Sequence, residues 1–116
     1  LFSRHLKQGA TVFDLGRPAD VDPAVIGERP DVSVIPGGTI RLPGAAIKQH
    51  LDIHFGPGNV PACLAETIII ALDRAYDRVT LGDGTSAENV EYFVERADAL
   101  GFEVVAEPYT HGRPVP

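Results

Sequence analysis

The sequence is poor in several features, and each scarcity excludes a class of protein. Its 116 residues include a single cysteine, so an internal disulfide framework is impossible and a reducing cytoplasmic location is expected. No apolar run reaches the roughly 18 residues that a membrane-spanning helix needs. Acidic residues outnumber basic ones, and the formal net charge of −6 makes nucleic acid and anionic membranes poor partners.

What the sequence does contain is typical of a folded domain. Hydrophobic residues make up 44% of the chain and charged residues 22%, which is enough apolar material for a core. The chain opens at Leu1 rather than at a methionine. We therefore expect a fragment of a longer protein, with residues 1–6 ending a helix whose beginning is absent.

Glycine and proline divide the first half of the chain into short elements. Apolar runs followed by turns predict strands at residues 10–15, 31–35 and 39–42. Asp22 followed by Pro23 is typical of a capped helical turn between the first two strands. Residues 46–55 alternate between apolar and polar side chains, which favours an extended segment.

The second half is predicted to be mainly helical. Helical spacing of apolar residues predicts a helix over 60–76 with Asn59 as its N-cap, and a second helix over 87–100 between Ser86 and Gly101. A last strand at 102–106 and a loose tail follow. The fold class is therefore α/β, interpreted as the C-terminal half of a Rossmann-like, mostly parallel sheet with a helical C-terminal extension. We divide it into residues 1–58, 59–106 and 107–116.

Cys63 is the best candidate nucleophile. It lies in the first turn of a predicted helix, where unpaired backbone N–H groups and the helix dipole stabilise a thiolate. Glu66 lies one turn later on the same face, where it would hold a substrate group or a base. The alternative interpretation is that Cys63 is a small buried hydrophobe of the helix.

Two further patterns suggest chemistry less specifically. His50, Asp52 and His54 would share one face of an extended segment, but no fourth ligand is apparent, so we predict no metal and keep His50 as an acid/base or substrate contact. The spacing Gly82-x-Gly84-x-x-Ala87 imitates a dinucleotide fingerprint. The preceding segment is short and polar, and a turn followed by the Ser86 cap explains the spacing better.

Residues 62–105, which begin Ala-Cys-Leu-Ala-Glu, resemble the C-terminal segment of the cyanobacterial long-chain fatty acyl-carrier-protein reductases. Those proteins carry an Ala-Cys-aromatic/Leu-Ala-Glu motif at the start of a helix. The resemblance implies that Cys63 takes the acyl group as a thioester, which NADPH then reduces to an aldehyde. It marks Glu66 as a motif residue without assigning its role.

The upstream sequence is similar to the same family. The run Phe-Asp-Leu-Gly-Arg-Pro resembles a strand-end segment of the acyl reductases and of the glutamyl-tRNA reductases, and Gly37-Gly38 also has counterparts. The resemblance implies a cofactor-binding role for five residues: Asp14, Gly16, Pro18, Gly37 and Gly38. The main NADPH-binding motif is expected upstream of Leu1.

The resulting expectation is part of an NADPH-dependent oxidoreductase that reduces an acyl thioester to an aldehyde. Its partner would be an acyl-carrier protein or acyl-CoA. The sequence leaves open whether the protein forms a homo-oligomer. Alone, the chain is expected to be inactive, because half of the cofactor site is absent. Two alternatives remain: a dehydrogenase of the shikimate or glutamyl-tRNA reductase kind with a packed Cys63, and a non-catalytic interaction domain.

Overall fold

The computed structural model describes residues 1–44, 47, 50–82 and 84–107, which form two compact units. The first comprises Leu1–Thr39 and, of the C-terminal segment, residues 105–107. The second comprises Ile40–Val104. No helix in these described ranges is long and apolar enough to cross a bilayer.

The first unit is built around a parallel strand pair joined by a helix. Strand β1 (Thr11–Asp14) pairs in parallel with β2 (Ser33–Pro36), and helix α1 (Ala24–Glu28) lies between them in the chain. Val21, Val25 and Val34 form its buried core. The Asp22 side chain accepts the Ala24 N–H at 2.9 Å, so the helical turn predicted there is confirmed.

The second unit has a three-stranded sheet and the two long helices. Strands β3 (Thr39–Arg41), β4 (Asn59–Pro61) and β5 (Glu103–Val104) are ordered β4-β3-β5, and β3 pairs antiparallel with β5. The helices are α2 (Ala62–Asp73) and α3 (Ala87–Leu100). Leu42, Val60 and Ala65 form a buried cluster. Ile69 is also buried, and removing its side chain from water contributes about 2 kcal/mol to the stability of the fold.

The predicted start and end of the first long helix are wrong by a few residues. Asn59 is the first residue of β4 rather than an N-cap, and Pro61 precedes the helix in an extended conformation. The helix ends at Asp73 because Arg74 adopts a left-handed conformation, with φ 54°. By contrast, Ser86 accepts the Asn89 N–H and Gly101 ends α3 in a left-handed conformation, as predicted.

The extended segment predicted over 46–55 is wrong where it is described. Ile47 and His50 are helical, and the Leu51 N–H donates to the Ile47 carbonyl as in a helical turn. Residues 53–55 form a bend, and His54 has φ 69°. The alternating pattern arose because apolar side chains of a turn and a bend also reach the core, as Leu51 and Ile53 do. Residues 46, 48 and 49 lie outside the described residues.

The predicted α/β class is thus confirmed, because the described chain contains both helices and strands. Parallel pairing is found between β1 and β2, whereas β3 and β5 pair antiparallel in a separate small sheet. The described strands form two separate small sheets instead of the single, mostly parallel sheet that we predicted. Of the predicted tail, residues 108–116 lie outside the described residues, and the functional division at residue 58 stays a prediction.

Candidate functional site

Asp14, at the end of β1, is the most connected of the predicted cofactor-binding residues. Its side chain is only 3% exposed. Oδ1 accepts the backbone N–H groups of Gly16 at 3.0 Å and Asp20 at 3.1 Å, and Oδ2 accepts that of Val21 at 2.9 Å. The carboxylate therefore organises the loop that leaves the strand.

The surroundings of Asp14 favour its charged form. Burial raises the pKa of this carboxyl, but the N–H groups of Val21, Asp20 and Gly16 and the nearby Arg17 guanidinium outweigh it. The net pKa lies below the ordinary value of 3.8. Asp14 is therefore an anion in a fixed position, and its carboxylate oxygens accept hydrogen bonds from the backbone of the loop that follows β1.

The other four predicted cofactor contacts lie around the same strand ends. The Gly37 N–H donates to the Asp14 carbonyl at 2.9 Å, and exposed Gly38 follows it with φ 67°. A Cβ on Gly16 would lie 2.9 Å from the Pro18 carbonyl oxygen and 2.7 Å from Asp20 Cγ. The structure thus brings these five residues together at the carboxyl ends of two parallel strands, the usual location of ligand sites in α/β sheets.

Arg17 also joins these strand ends, a role that we did not predict for it from the sequence. Its guanidinium donates to the carbonyls of Asp14, Gly16 and Gly37 and to Thr39 Oγ1, at 2.7 to 3.4 Å. Backbone acceptors leave no residue pattern, so this role was not detectable before the fold was known.

Cys63 is the second residue of α2, and its thiol is free and exposed. The backbone N–H groups of the first helical turn have no partner within the helix, and that turn contains no acidic residue. The Thr67 hydroxyl donates to the Cys63 carbonyl at 2.9 Å. The exposure of the residue contradicts the interpretation of Cys63 as a buried hydrophobe.

Glu66 is half-buried and lines an apolar groove of about 710 Å³ that Ala62 also lines. Helix α2 contributes Ala65 and Ile69 to this groove. Most of the remaining lining comes from α3 and from residues 102–104, which include the last strand: Phe93, Val94, Ala97, Phe102 and Val104 are examples. Cys63 follows Ala62 directly in α2 but is not itself one of the residues that line the groove.

His50 is exposed and helical, and its catalytic role stays a prediction. Asp52 uses its carboxylate to accept the His54 backbone N–H at 3.0 Å, which forms a local turn. Among the described residues no group of three His, Cys, Asp or Glu side chains is placed to hold a metal ion.

Gly82 and Gly84 follow a 3-10 turn, Tyr76–Arg78, instead of the strand that a dinucleotide fingerprint requires. Ser86 then caps α3. The geometry agrees with the turn-and-cap interpretation, although Asp83 lies outside the described residues.

Comparison with known proteins finds a partial similarity to an aminotransferase. No model of a known protein family matches the chain. Over 109 residues, the chain is 29% identical to the aminotransferase PigE of a Serratia species, covering 85% of this chain. It spans only 12% of the length of that relative. These comparisons do not support membership of the acyl reductases, so that resemblance stays a hypothesis.

Proposed function

We propose that this chain is part of an NADPH-dependent oxidoreductase that reduces an acyl thioester to an aldehyde through Cys63. The observation that carries the proposal is the free, exposed Cys63 in the first turn of α2, directly after Ala62, which lines an apolar groove. The resemblance of residues 62–105 to the acyl reductases supports the same chemistry. An acyl-carrier protein or acyl-CoA in the cytoplasm would supply the acyl group.

The first step would form one thioester and break another. The Cys63 thiolate attacks the carbonyl carbon of the incoming thioester, the carrier thiolate leaves, and it takes up a proton. The free N–H groups at the start of α2 would stabilise the oxyanion of the tetrahedral intermediate. Reduction of the Cys63 thioester then releases the aldehyde and regenerates the thiol.

The residues that would contact NADPH belong to the first unit. Asp14, Gly16, Pro18, Gly37 and Gly38 lie at the carboxyl ends of parallel strands, and the absence of a side chain on Gly37 lets the Leu15 side chain pack closely against it. We propose that β1, α1 and β2 belong to the second half of a Rossmann-like domain. NADPH, when bound, supplies the hydride for the reduction.

The match to a protein named an aminotransferase suggests where the aldehyde would go. Aldehydes are carbonyl acceptors for amino-group transfer, so the proposed reduction would supply the substrate of such a reaction. This coupling is part of the proposal, because the chain spans 12% of that relative.

Intact-mass spectrometry tests the thioester step directly. The chain is incubated with acyl thioesters of several lengths and no NADPH, with Cys63→Ala as the control. Because the chain has one cysteine, an acyl-sized mass gain that is absent from the control locates the adduct. We expect acylation to be at least about tenfold faster than for the urea-unfolded chain, because the N–H groups at the start of α2 would stabilise the oxyanion that forms during the attack.

Reduction is then followed in the protein restored to its upstream sequence, where NADPH should discharge the adduct as aldehyde. Failure to acylate at any chain length, with native and unfolded thiols equally slow, would contradict the proposal. The dehydrogenase alternative would then be preferred if the restored protein oxidises NADPH with a small carbonyl substrate, and the interaction-domain alternative if it does not.

A further inference from the structure

The apolar groove of the second unit carries a charge pattern that the proposed reduction does not use. Three of its lining residues are acidic: Glu66, Asp98 and Glu103. None of the described residues that line it is a lysine, arginine or histidine. An acyl thioester is uncharged at its reacting end, so it gives no reason for this pattern.

Glu66 is the carboxylate most available to a ligand. Glu103 forms a 3.3 Å ion pair with Arg41, and Asp98 is exposed. Glu66 is half-buried in the apolar wall and has no hydrogen-bond or ion-pair partner in the described part of the chain. A half-buried carboxylate without a partner is stabilised by an arriving cation.

The groove has the size and lining of a small-molecule site. Its volume of about 710 Å³ falls within the range of roughly 300–1,000 Å³ found for ligand pockets. Val94 and Val104, both in its wall, are 64% and 76% exposed. An alkyl chain lying in the groove would remove this apolar surface from water.

Charge distinguishes between the candidate occupants. A second copy of this acidic chain packed on the same groove would place Glu66 and Asp98 opposite the same two residues of its partner, and a fatty-acid anion would also be repelled by them. A primary amine is protonated at neutral pH, as lysine is, and combines an alkyl chain with a cation. We propose that the groove binds a primary alkylammonium ion, with its chain along α2 and α3 and its ammonium group at Glu66.

This inference does not depend on Cys63, and it is tested by binding alone. The chain is titrated with octylammonium, octanol and octanoate below their micelle-forming concentrations and followed by two-dimensional NMR and calorimetry. We expect octylammonium to bind most tightly and octanoate least, with resonance shifts at Phe93, Val94 and Val104. Each methylene added to the amine should strengthen binding about fourfold until the groove is filled.

Paired variants identify the carboxylate. Glu66→Gln should weaken octylammonium binding about fivefold and leave octanol binding unchanged. Glu95→Gln removes the same charge from an exposed position of α3 outside the groove lining, and it should change neither. Asp98→Asn serves as a second variant if Glu66→Gln does not fold, and it should weaken the amine selectively.

The Cys63→Ala chain should bind octylammonium as the parent does, which separates this inference from the thioester step. Equal binding of octanoate and octylammonium, equal effects of Glu66→Gln and Glu95→Gln, or shifts outside the groove would each overturn the proposal. So would tight binding of a basic amphipathic peptide with no amine binding, since the groove would then be a protein-docking surface.

Discussion

At the scale of single residues, Asp14 determines the shape of the loop after β1. Three backbone N–H groups converge on its carboxylate, which is 3% exposed. Replacing Asp14 with alanine leaves these donors without an acceptor. We expect Asp14→Ala to lower the free energy of unfolding by about 3 kcal/mol, and Asp14→Asn, which keeps one oxygen, by about half as much.

Urea unfolding at neutral pH measures the effect of Asp14. Asp20→Ala is the matched control, since Asp20 lies in the same loop and its exposed carboxylate forms no hydrogen bond that the structure describes. An Asp14→Ala variant no less stable than Asp20→Ala would show that the loop does not depend on this anion.

Gly16 is required for a different reason: other atoms of the same loop lie too close to its Cα to leave room for a side chain. A Cβ there would lie 2.7 Å from Asp20 Cγ and 2.9 Å from the Pro18 carbonyl oxygen, and the latter belongs to the backbone. We expect Gly16→Ala to lower the free energy of unfolding by about 2 kcal/mol.

Gly27 is the matched control for Gly16, because a Cβ there meets nothing within 4 Å and the residue lies inside α1. Gly27→Ala should raise the free energy of unfolding by about 0.5–1 kcal/mol. Thermal unfolding of both variants checks the pair, and similar effects of the two would contradict the steric explanation.

At the scale of elements, Asp73 links the end of α2 to the middle of α3. It accepts hydrogen bonds from Tyr92 and from two nitrogens of Arg96, and the Arg78 guanidinium lies 4.0 Å from the Tyr92 ring centroid. The Arg96 guanidinium and the Tyr92 hydroxyl lower the pKa of Asp73 to about 2. This cluster is the main polar contact seen between the two helices.

This lowered pKa makes the stability of the second unit depend on pH. A carboxyl with a folded-state pKa below its unfolded value contributes fully above about pH 4, and that contribution is lost as the pH falls toward 2. We expect Asp73→Asn to be less stable than the parent near neutral pH and the difference to close by about pH 2. Urea midpoints across this range measure it.

Asp77→Asn is the control for Asp73, because Asp77 is exposed and has no partner that the described structure shows. It should follow the parent at every pH. A constant gap between Asp73→Asn and the parent down to about pH 2 would show that the cluster stabilises by packing instead of charge.

The sequence predicted most elements where local rules dominate. Ser86 and Gly101 fix the ends of α3 through a side-chain cap and a left-handed residue, and both features are visible in single residues. The start of α2 was missed because Val60 is drawn into the sheet beside β3, which is a tertiary effect. The turn near His50 was missed because apolar alternation does not distinguish a strand from a bend over the core.

At the scale of the whole molecule, the α/β class was predictable and the arrangement of the strands was not. Alternating strands and helices indicated a parallel sheet, and β1 and β2 fulfil that pattern. Nothing in the residues of β3 and β5 specifies antiparallel pairing, since both are very short and register depends on partners far apart in the chain. For the site, sequence located Cys63 at a helix start but gave no sign of the groove, which α2, α3 and β5 form jointly.

The pairing of Ile40 with Val104 has an evolutionary consequence. These residues are the first and last of the second unit, so its two ends are neighbours on adjacent strands. A segment whose ends meet in this way can be inserted into, or removed from, a host chain without separating the flanking residues. Residues 40–104 therefore have the topology of an inserted segment that a host chain can accommodate.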